Sequence, residues 1–476
     1  MQKLTHMFFS IILSTVVLLI MFPIHSFADE TDLEAQIESR KNIPIESNNI
    51  PNWPVGPVVC AESAILMDVD TGIILYEKNI HEKLYPASIT KILTALIAYE
   101  HCSMNETVTF SYEAVSSIDW RYDANMGIQA GDSITLEQAM YGMLVGSANE
   151  AAYAIAEHVS GDLKSFADLM NEKAAELGCT ESHFVTPNGI HDDDHYTSAH
   201  DMALIAQAFF SNDYLASISN TPTYKIPASA TQPNDDMVVY AKSKLFPQKE
   251  YAYEYLIGTK TGYTESARQT LVSCAQKDTL RLVCVVMKDE APSQYTDTID
   301  LFNYGFSNFL PVTIADKDNC YSISTSNLFD TKNDIFGSSK PILKIDPDDR
   351  IILPVGTDPD NTESKVVYED LKDNELARIE YYYSGTFVGS ASVVPASEQL
   401  TSVGFENDPP SDTAKEKVIF LNIYKVLGYI LAVFAGSSFI FILISLIRGS
   451  KRYKRKNNTN KNYNYEHKKL NWKHFK

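Results

Sequence analysis

In Ser88-Ile89-Thr90-Lys91 a hydroxyl and an amine stand three residues apart. On a helix that spacing puts both on one face, a turn apart. A serine is a poor nucleophile at neutral pH unless a base takes its proton, and a lysine whose pKa is lowered by desolvation or by a second cation can be that base. A helix N-terminus also aims backbone N–H groups at the place where an oxyanion forms. Alone, the pattern also describes a capping serine followed by a solvated lysine. Two further segments add to it. Ser147-Ala148-Asn149 offers a second hydroxyl, to relay a proton, and an amide two residues on, to hold a carbonyl. Lys260-Thr261-Gly262 offers a second cation and, on a strand, a glycine that lets another backbone approach closely.

These groups need elements to hold them. Pro86-Ala87-Ser88 precedes Ile89–Tyr99, a run of helical character with few breakers. Ser165–Leu177 and Ala199–Phe210 are further expected helices. Residues 64–69 and 73–76 flank Asp70-Thr71-Gly72, a turn between two strand-like runs. Residues 270–276 and 280–287 form a second expected hairpin around Lys277-Asp278. Helices in the middle and strands at both ends predict a sheet whose first and last strands meet, covered by helices. The block runs from about Val58 to Phe306. From Ser307 to Glu406, short β-branched and aromatic runs alternate with turns, as in a small β-domain: Ile351–Leu353, Lys365–Tyr368, Ala377–Tyr383 and Thr386–Val394.

The order S-x-x-K, S-x-N, K-T-G is the signature of active-site serine penicillin-recognising enzymes. Residues 85–95, Val145–Ala152, Thr186-Pro187-Asn188-Gly189-Ile190, His195–Ser198 with Asp201-Met202-Ala203, and Gly258–Thr264 closely resemble the serine-type D-alanyl-D-alanine carboxypeptidases, the low-molecular-mass penicillin-binding proteins. The resemblance covers roughly residues 58–306. It implies an α+β fold: a β-lactamase/transpeptidase-like catalytic domain followed by a small C-terminal β-domain. It also implies that Ser88 attacks the carbonyl between two terminal D-alanines of a peptidoglycan stem peptide, with Lys91 as base. Ser147 and Asn149 then line the opposite wall, Ser147 passing a proton to the leaving D-alanine. Lys260 and Thr261 hold the terminal carboxylate beside Gly262, and the N–H groups of Ser88 and Tyr263 form an oxyanion hole. A β-lactam is expected to acylate Ser88, and no cofactor is needed. One departure stands out: after Tyr263–Ala267 the family usually has Gly, where this chain has Arg268. A bulky cation there is expected to crowd or recharge the rear of the site.

Other functions share these motifs. A class A-like β-lactamase needs an additional glutamate, and no E-x-x-L-N-type segment lies between Asn149 and Lys260. A penicillin-binding sensor with weak turnover, or a transpeptidase passing the acyl group to an amine, would keep the same residues.

The 476 residues carry a net charge of −21, which argues against a nucleic-acid partner. The charge is uneven. Residues 448–476 hold 11 Lys and Arg and one acidic residue, while 29–447 hold 28 basic and 60 acidic residues, a net −32. Residues 1–28 read as a signal peptide, with Lys3, an apolar run from Met7 to Phe22, and Ser26-Phe27-Ala28 before Asp29. Residues 29–57, polar and with four prolines, read as a linker, as do 407–425. Val426–Ile447 is 22 residues without a charge, long enough to span a bilayer, where many relatives carry only an amphipathic surface helix. The cationic cluster after it predicts a cytoplasmic tail and an extracytoplasmic catalytic domain in a single-pass cell-membrane protein.

Cysteines at 60, 102, 179, 274, 284 and 320 show no metal-ligand spacing, and most read as small buried apolar residues. The run His191, Asp192, Asp193, Asp194, His195, His200 lacks a standard metal spacing too; it reads as an exposed polar loop entering the helix that starts near Ser198, with no metal expected.

Overall fold

The computed structural model describes residues 25–232, 236–314, 343–369, 371–372 and 374–395. The membrane span and basic tail expected at 426–476, and all but the last four residues of the signal peptide expected at 1–28, lie outside these residues. Among the described residues no helix is long and apolar enough to cross a membrane.

The elements follow in this order: α1 (His25–Lys41), β1 (Ser63–Asp68), β2 (Ile74–Lys78), a 3-10 turn (Ala87–Thr90), α2 (Lys91–His101), β3 (Thr107–Thr109), α3 (Tyr112–Ser116), β4 (Ser133–Thr135), α4 (Leu136–Leu144), α5 (Asn149–Ser160), α6 (Leu163–Glu176), α7 (Ala199–Phe210), α8 (Asp213–Ser219), β5 (Thr223–Ile226), β6 (Met237–Tyr240), β7 (Leu256–Thr264), β8 (Arg268–Lys277), β9 (Leu280–Asp289) and α9 (Ser293–Asn308). A second sheet follows: β10 (Phe309–Thr313), β11 (Leu343–Ile345), β12 (Arg350–Pro354), β13 (Glu363–Val367), β14 (Ala377–Tyr383) and β15 (Thr386–Pro395).

The main sheet is antiparallel, in the order β2-β1-β9-β8-β7, so the first strands do meet the last. Its period-2 pattern is buried on both faces. Ile65, Met67, Val283, Val285 and Met287 join one core with the helices of the middle of the chain. Ala64, Leu66, Leu282, Cys284 and Val286 join a second core with Leu301 and Phe302 of α9. That second core continues into Ile351, Leu353, Tyr381 and Val388 of the β10–β15 sheet, and the two sheets belong to one compact unit.

Helix α2 explains how a lysine comes to be buried. Every residue from Lys91 to Ala98 is buried. Only a helix apolar almost all round, here Ile92, Leu93, Ala95, Leu96, Ile97 and Ala98, tolerates a central position. It begins two residues later than the expected Ile89, because Ala87, at φ +51°, and the 3-10 turn intervene. In a 3-10 turn, residues three apart eclipse, so Ser88 still faces Lys91.

The stretch expected as a linker is corrected from Arg40 onward. Arg40 is buried and donates to Glu290 at 3.1 Å. Trp53 is 6% exposed, with its Nε1–H on the Leu75 carbonyl at 3.0 Å and its ring 5.0 Å from that of Phe309. The prolines do not make this segment loose, since their carbonyls accept from the core: Tyr304 Oη bonds Pro54 O and Tyr76 Oη bonds Pro57 O. Trp53→Ala is therefore expected to cost about 3–5 kcal/mol in chemical denaturation, where a free linker would cost nothing measurable.

Candidate active site

Three segments that are remote in sequence bring their side chains to one cleft of about 330 Å³. Ser88, Ser147, Asn149, Thr261, Gly262 and Tyr263 line it. Lys91 and Lys260 stand behind that lining, buried.

Lys91 Nζ makes three contacts: Ser88 Oγ at 2.8 Å, Asn149 Oδ1 at 2.7 Å and the Asn188 carbonyl at 2.8 Å. The last two are acceptors only. They hold two N–H bonds of the amine, and the third tetrahedral direction points at Ser88 Oγ. In the neutral amine that direction is the lone pair, and Ser88 must then be the donor. Burial, followed by the charge of Lys260, pushes the Lys91 pKa well down from the usual lysine range. Glu150 and Asp123 pull the other way. Glu150 is itself buried, accepts from the Met126 N–H at 2.7 Å, and has a raised pKa.

Lys260 reaches in from β7 and donates to Ser147 Oγ at 2.9 Å and to the Thr261 carbonyl at 2.8 Å. Burial first, and Lys242 second, bring its pKa down to about 7. Ser147 lies at φ +60°, a conformation that a non-glycine residue holds only where its surroundings impose it. Tyr263 is half exposed at the mouth of the cleft. Gly262 is required by contact. A Cβ there would lie 2.9 Å from the Ser88 backbone N and 2.3 Å from Thr270 Oγ1, so the strand presses on the Ser88 turn as only glycine can.

The turn is also held from behind, by residues to which the sequence assigned no role. Thr270 Oγ1 donates to Pro86 O at 2.8 Å. Gly189, at φ +79°, faces the Ala87 carbonyl where a Cβ would sit 1.9 Å away. His195 is buried, not part of an exposed loop as expected. Its Nδ1 accepts from Val185 N at 2.9 Å and from Thr186 N at 3.2 Å, which fixes the proton on Nε2. That Nε2 lies 3.0 Å from Thr90 Oγ1, and Thr90 donates to the Ala87 carbonyl at 2.8 Å. Burial pushes the His195 pKa down to about 4, so the ring stays neutral near pH 7. The clue in the sequence was its place at the head of a quoted motif, His195–Ser198, although a lone His offers no spacing.

Arg268 is not in the cleft lining. Its Nε and Nη2 grip Glu290 at 2.9 and 2.6 Å, and Glu290 also takes Arg40. The cation expected to crowd or recharge the rear of the site is thus tied to a carboxylate that it shares with Arg40. The position has φ +52°, which accounts for a preference for glycine there.

Residues 51–291 match the family model described as D-alanyl-D-alanine carboxypeptidase. The chain is 31% identical over 260 residues to the D-alanyl-D-alanine carboxypeptidase DacF of Bacillus subtilis, covering 52% of this chain and 63% of that one. It is also 31% identical over 281 residues to DacB2 of Mycobacterium tuberculosis, covering 58% of this chain and 88% of that one. The crystal structure of the Streptomyces K15 DD-transpeptidase superimposes with a TM-score of 0.50 at 25% identity, over 53% of this chain and all of the other. A mixed helix-and-strand fold, a buried lysine set against a serine on a strained turn, and this family match agree. The chain belongs to the D-alanyl-D-alanine carboxypeptidase family.

Lys260 is cationic below about pH 7 and neutral above it, so acylation by a carboxylate-bearing β-lactam is expected to fall as pH rises through about 7. Lys260→Arg should remove that fall in a pH series of labelling rates. His195→Ala leaves two backbone N–H groups unpaired and frees Thr90, and it is expected to slow labelling of Ser88 by about 10-fold or more. Thr90→Val, which cuts the same chain at its other end, should slow it similarly.

Proposed function

We propose that this protein is a serine-type D-Ala-D-Ala carboxypeptidase that removes the terminal D-alanine from peptidoglycan stem peptides. The observation that carries this reading is the Lys91 amine, buried among two fixed acceptors with its third direction on Ser88 Oγ. Lys91 takes the Ser88 proton as Oγ attacks the carbonyl carbon of the penultimate D-alanine. The oxyanion is received by the N–H groups of Ser88 and Tyr263. Ser147 Oγ accepts from Lys260, so its own proton is available to the departing amine nitrogen. Lys260 and Thr261 hold the terminal carboxylate. Collapse releases D-alanine and leaves an ester on Ser88; the proton held by Lys91 passes to Ser147, and the amine, neutral again, takes a proton from the water that cleaves the ester. A β-lactam stops at the ester.

Glu150 supports a carboxypeptidase over a β-lactamase. It adjoins Asn149 but does not line the cleft, and it points to the Met126 amide.

The test uses the detergent-solubilised full chain, diacetyl-Lys-D-Ala-D-Ala and a fluorescent penicillin. D-alanine release and labelling are both expected, and both should vanish in Ser88→Ala. Lys91→Ala is expected to slow acylation by about 100- to 10,000-fold. Labelling without release would move the reading to a transpeptidase or a sensor, and rapid loss of the label would move it to a β-lactamase.

We further propose that the catalytic domain is extracytoplasmic on a single-pass anchor. The signal-like residues 1–28, the uncharged Val426–Ile447 and the basic tail after it support this topology. The full chain is expected to resist alkaline extraction from membranes, and truncation after Lys417 should release it.

A further inference from the structure

Away from the cleft, His81, Glu181 and His200 bring one donor atom each within 4.8 Å of one another. His81 Nδ1 is 3.0 Å from Glu181 Oε1, and the two imidazole rings lie 5.0 Å apart between centroids. They come from three separate segments: the loop after β2, the loop after α6, and the first turn of α7. Two imidazoles and one carboxylate are a donor set for zinc and its neighbours in the transition series.

The groups around them orient the donors as the partners of metal ligands do. Asp201, fully buried, faces His200 Nδ1 at 3.3 Å, which leaves Nε2 turned outward as the donor. The same carboxylate accepts from Glu181 N and Ser182 Oγ at 2.7 Å each, fixing the loop that carries Glu181. The second oxygen of Glu181 accepts from Ser198 Oγ at 2.9 Å. The backbone N–H of His200 donates to Ile80 O at 3.0 Å, so the loop bearing His81 is already docked on α7. Tetrahedral zinc needs donors about 3.4 Å apart. The gap that remains is closed by His81, whose side chain is the most exposed of the three.

We propose that His81, Glu181 and His200 form a binding site for a zinc-like divalent transition-metal ion, with water filling the coordination sphere. The bound ion would fasten the segment leading into the Ser88 turn to the segment that carries Gly189 and His195. It takes no part in the acyl chemistry, since none of its ligands lines the cleft.

The test is metal titration of chelator-stripped, detergent-solubilised full chain. Zinc is expected to bind at one site in the micromolar range and to raise the melting temperature by about 3 °C or more. Cobalt(II) should give the visible bands of a tetrahedral nitrogen–oxygen site. In the His81→Gln/His200→Gln double variant, zinc affinity should fall at least 10-fold and the cobalt bands should disappear. Its metal-free melting temperature and penicillin labelling should match the native chain, which separates lost binding from lost fold. His158→Ala is the control, because Cys102, Glu106 and His158 form a second cluster of possible donors. Absence of zinc binding to the native chain would overturn the proposal. So would binding that survives in the double variant but is lost in His158→Ala.

Discussion

A lysine amine enclosed without a carboxylate partner is the constraint on which the rest of this protein depends. Lys91 is fully buried, and its three contacts are oxygens of a serine, an amide and a backbone carbonyl. None of them balances a positive charge. A second buried lysine stands nearby, on β7. Ordinary folding would avoid such an arrangement, since burying an uncompensated cation is among the most costly things a domain can do. The chain tolerates it because burial pushes the amine toward its neutral form, which is the state a general base must have.

The surroundings are built to keep that amine where it is. Helix α2 supplies the apolar wrapping, α5 supplies Asn149, and the Asn188-Gly189 turn supplies the third oxygen. Strain is held in the same place. Ala87, next to Ser88, and Ser147 are both in left-handed conformations. Each is fixed by partners that leave no alternative: the Ala87 carbonyl by Thr90, which His195 backs, and by the close approach of Gly189, and Ser147 by Lys260. Strain of this kind survives only where a rigid frame over-determines it, and here the frame is a sheet buried on both faces.

Much of the frame was legible from local pattern. Ala199–Phe210 appears with the expected bounds, and Ala377–Tyr383 likewise, because a serine cap in the one and alternation in the other are short-range signals. The pairing of the first strands with the last followed from the order of elements. What could not be read were long-range polar contacts. His195 looked like surface because its neighbours are Asp192, Asp193 and Asp194, yet its partners are backbone groups ten and nine residues away and a threonine 105 residues away. Arg268 looked like an intruder in the site, since nothing near it in sequence announces Glu290 as its counter-ion. The stretch before Val58 looked loose because prolines and polar residues dominate, although Arg40 and Trp53 anchor it.

The register of the central sheet also governs when this protein can become a protein at all. Ala64, near the start of the catalytic domain, pairs with Val286, near its end. A chain synthesised from its N-terminus delivers β1 long before β9. Until the later strand arrives, β1 has an open edge and bare apolar faces on both sides, a surface that invites other unfinished chains. Completion of the Ser88 turn waits as well, since Thr270 and Gly262, which press against it, come from the same late hairpin. The site is therefore silent while the chain is being made and assembles only once nearly the whole domain has been synthesised.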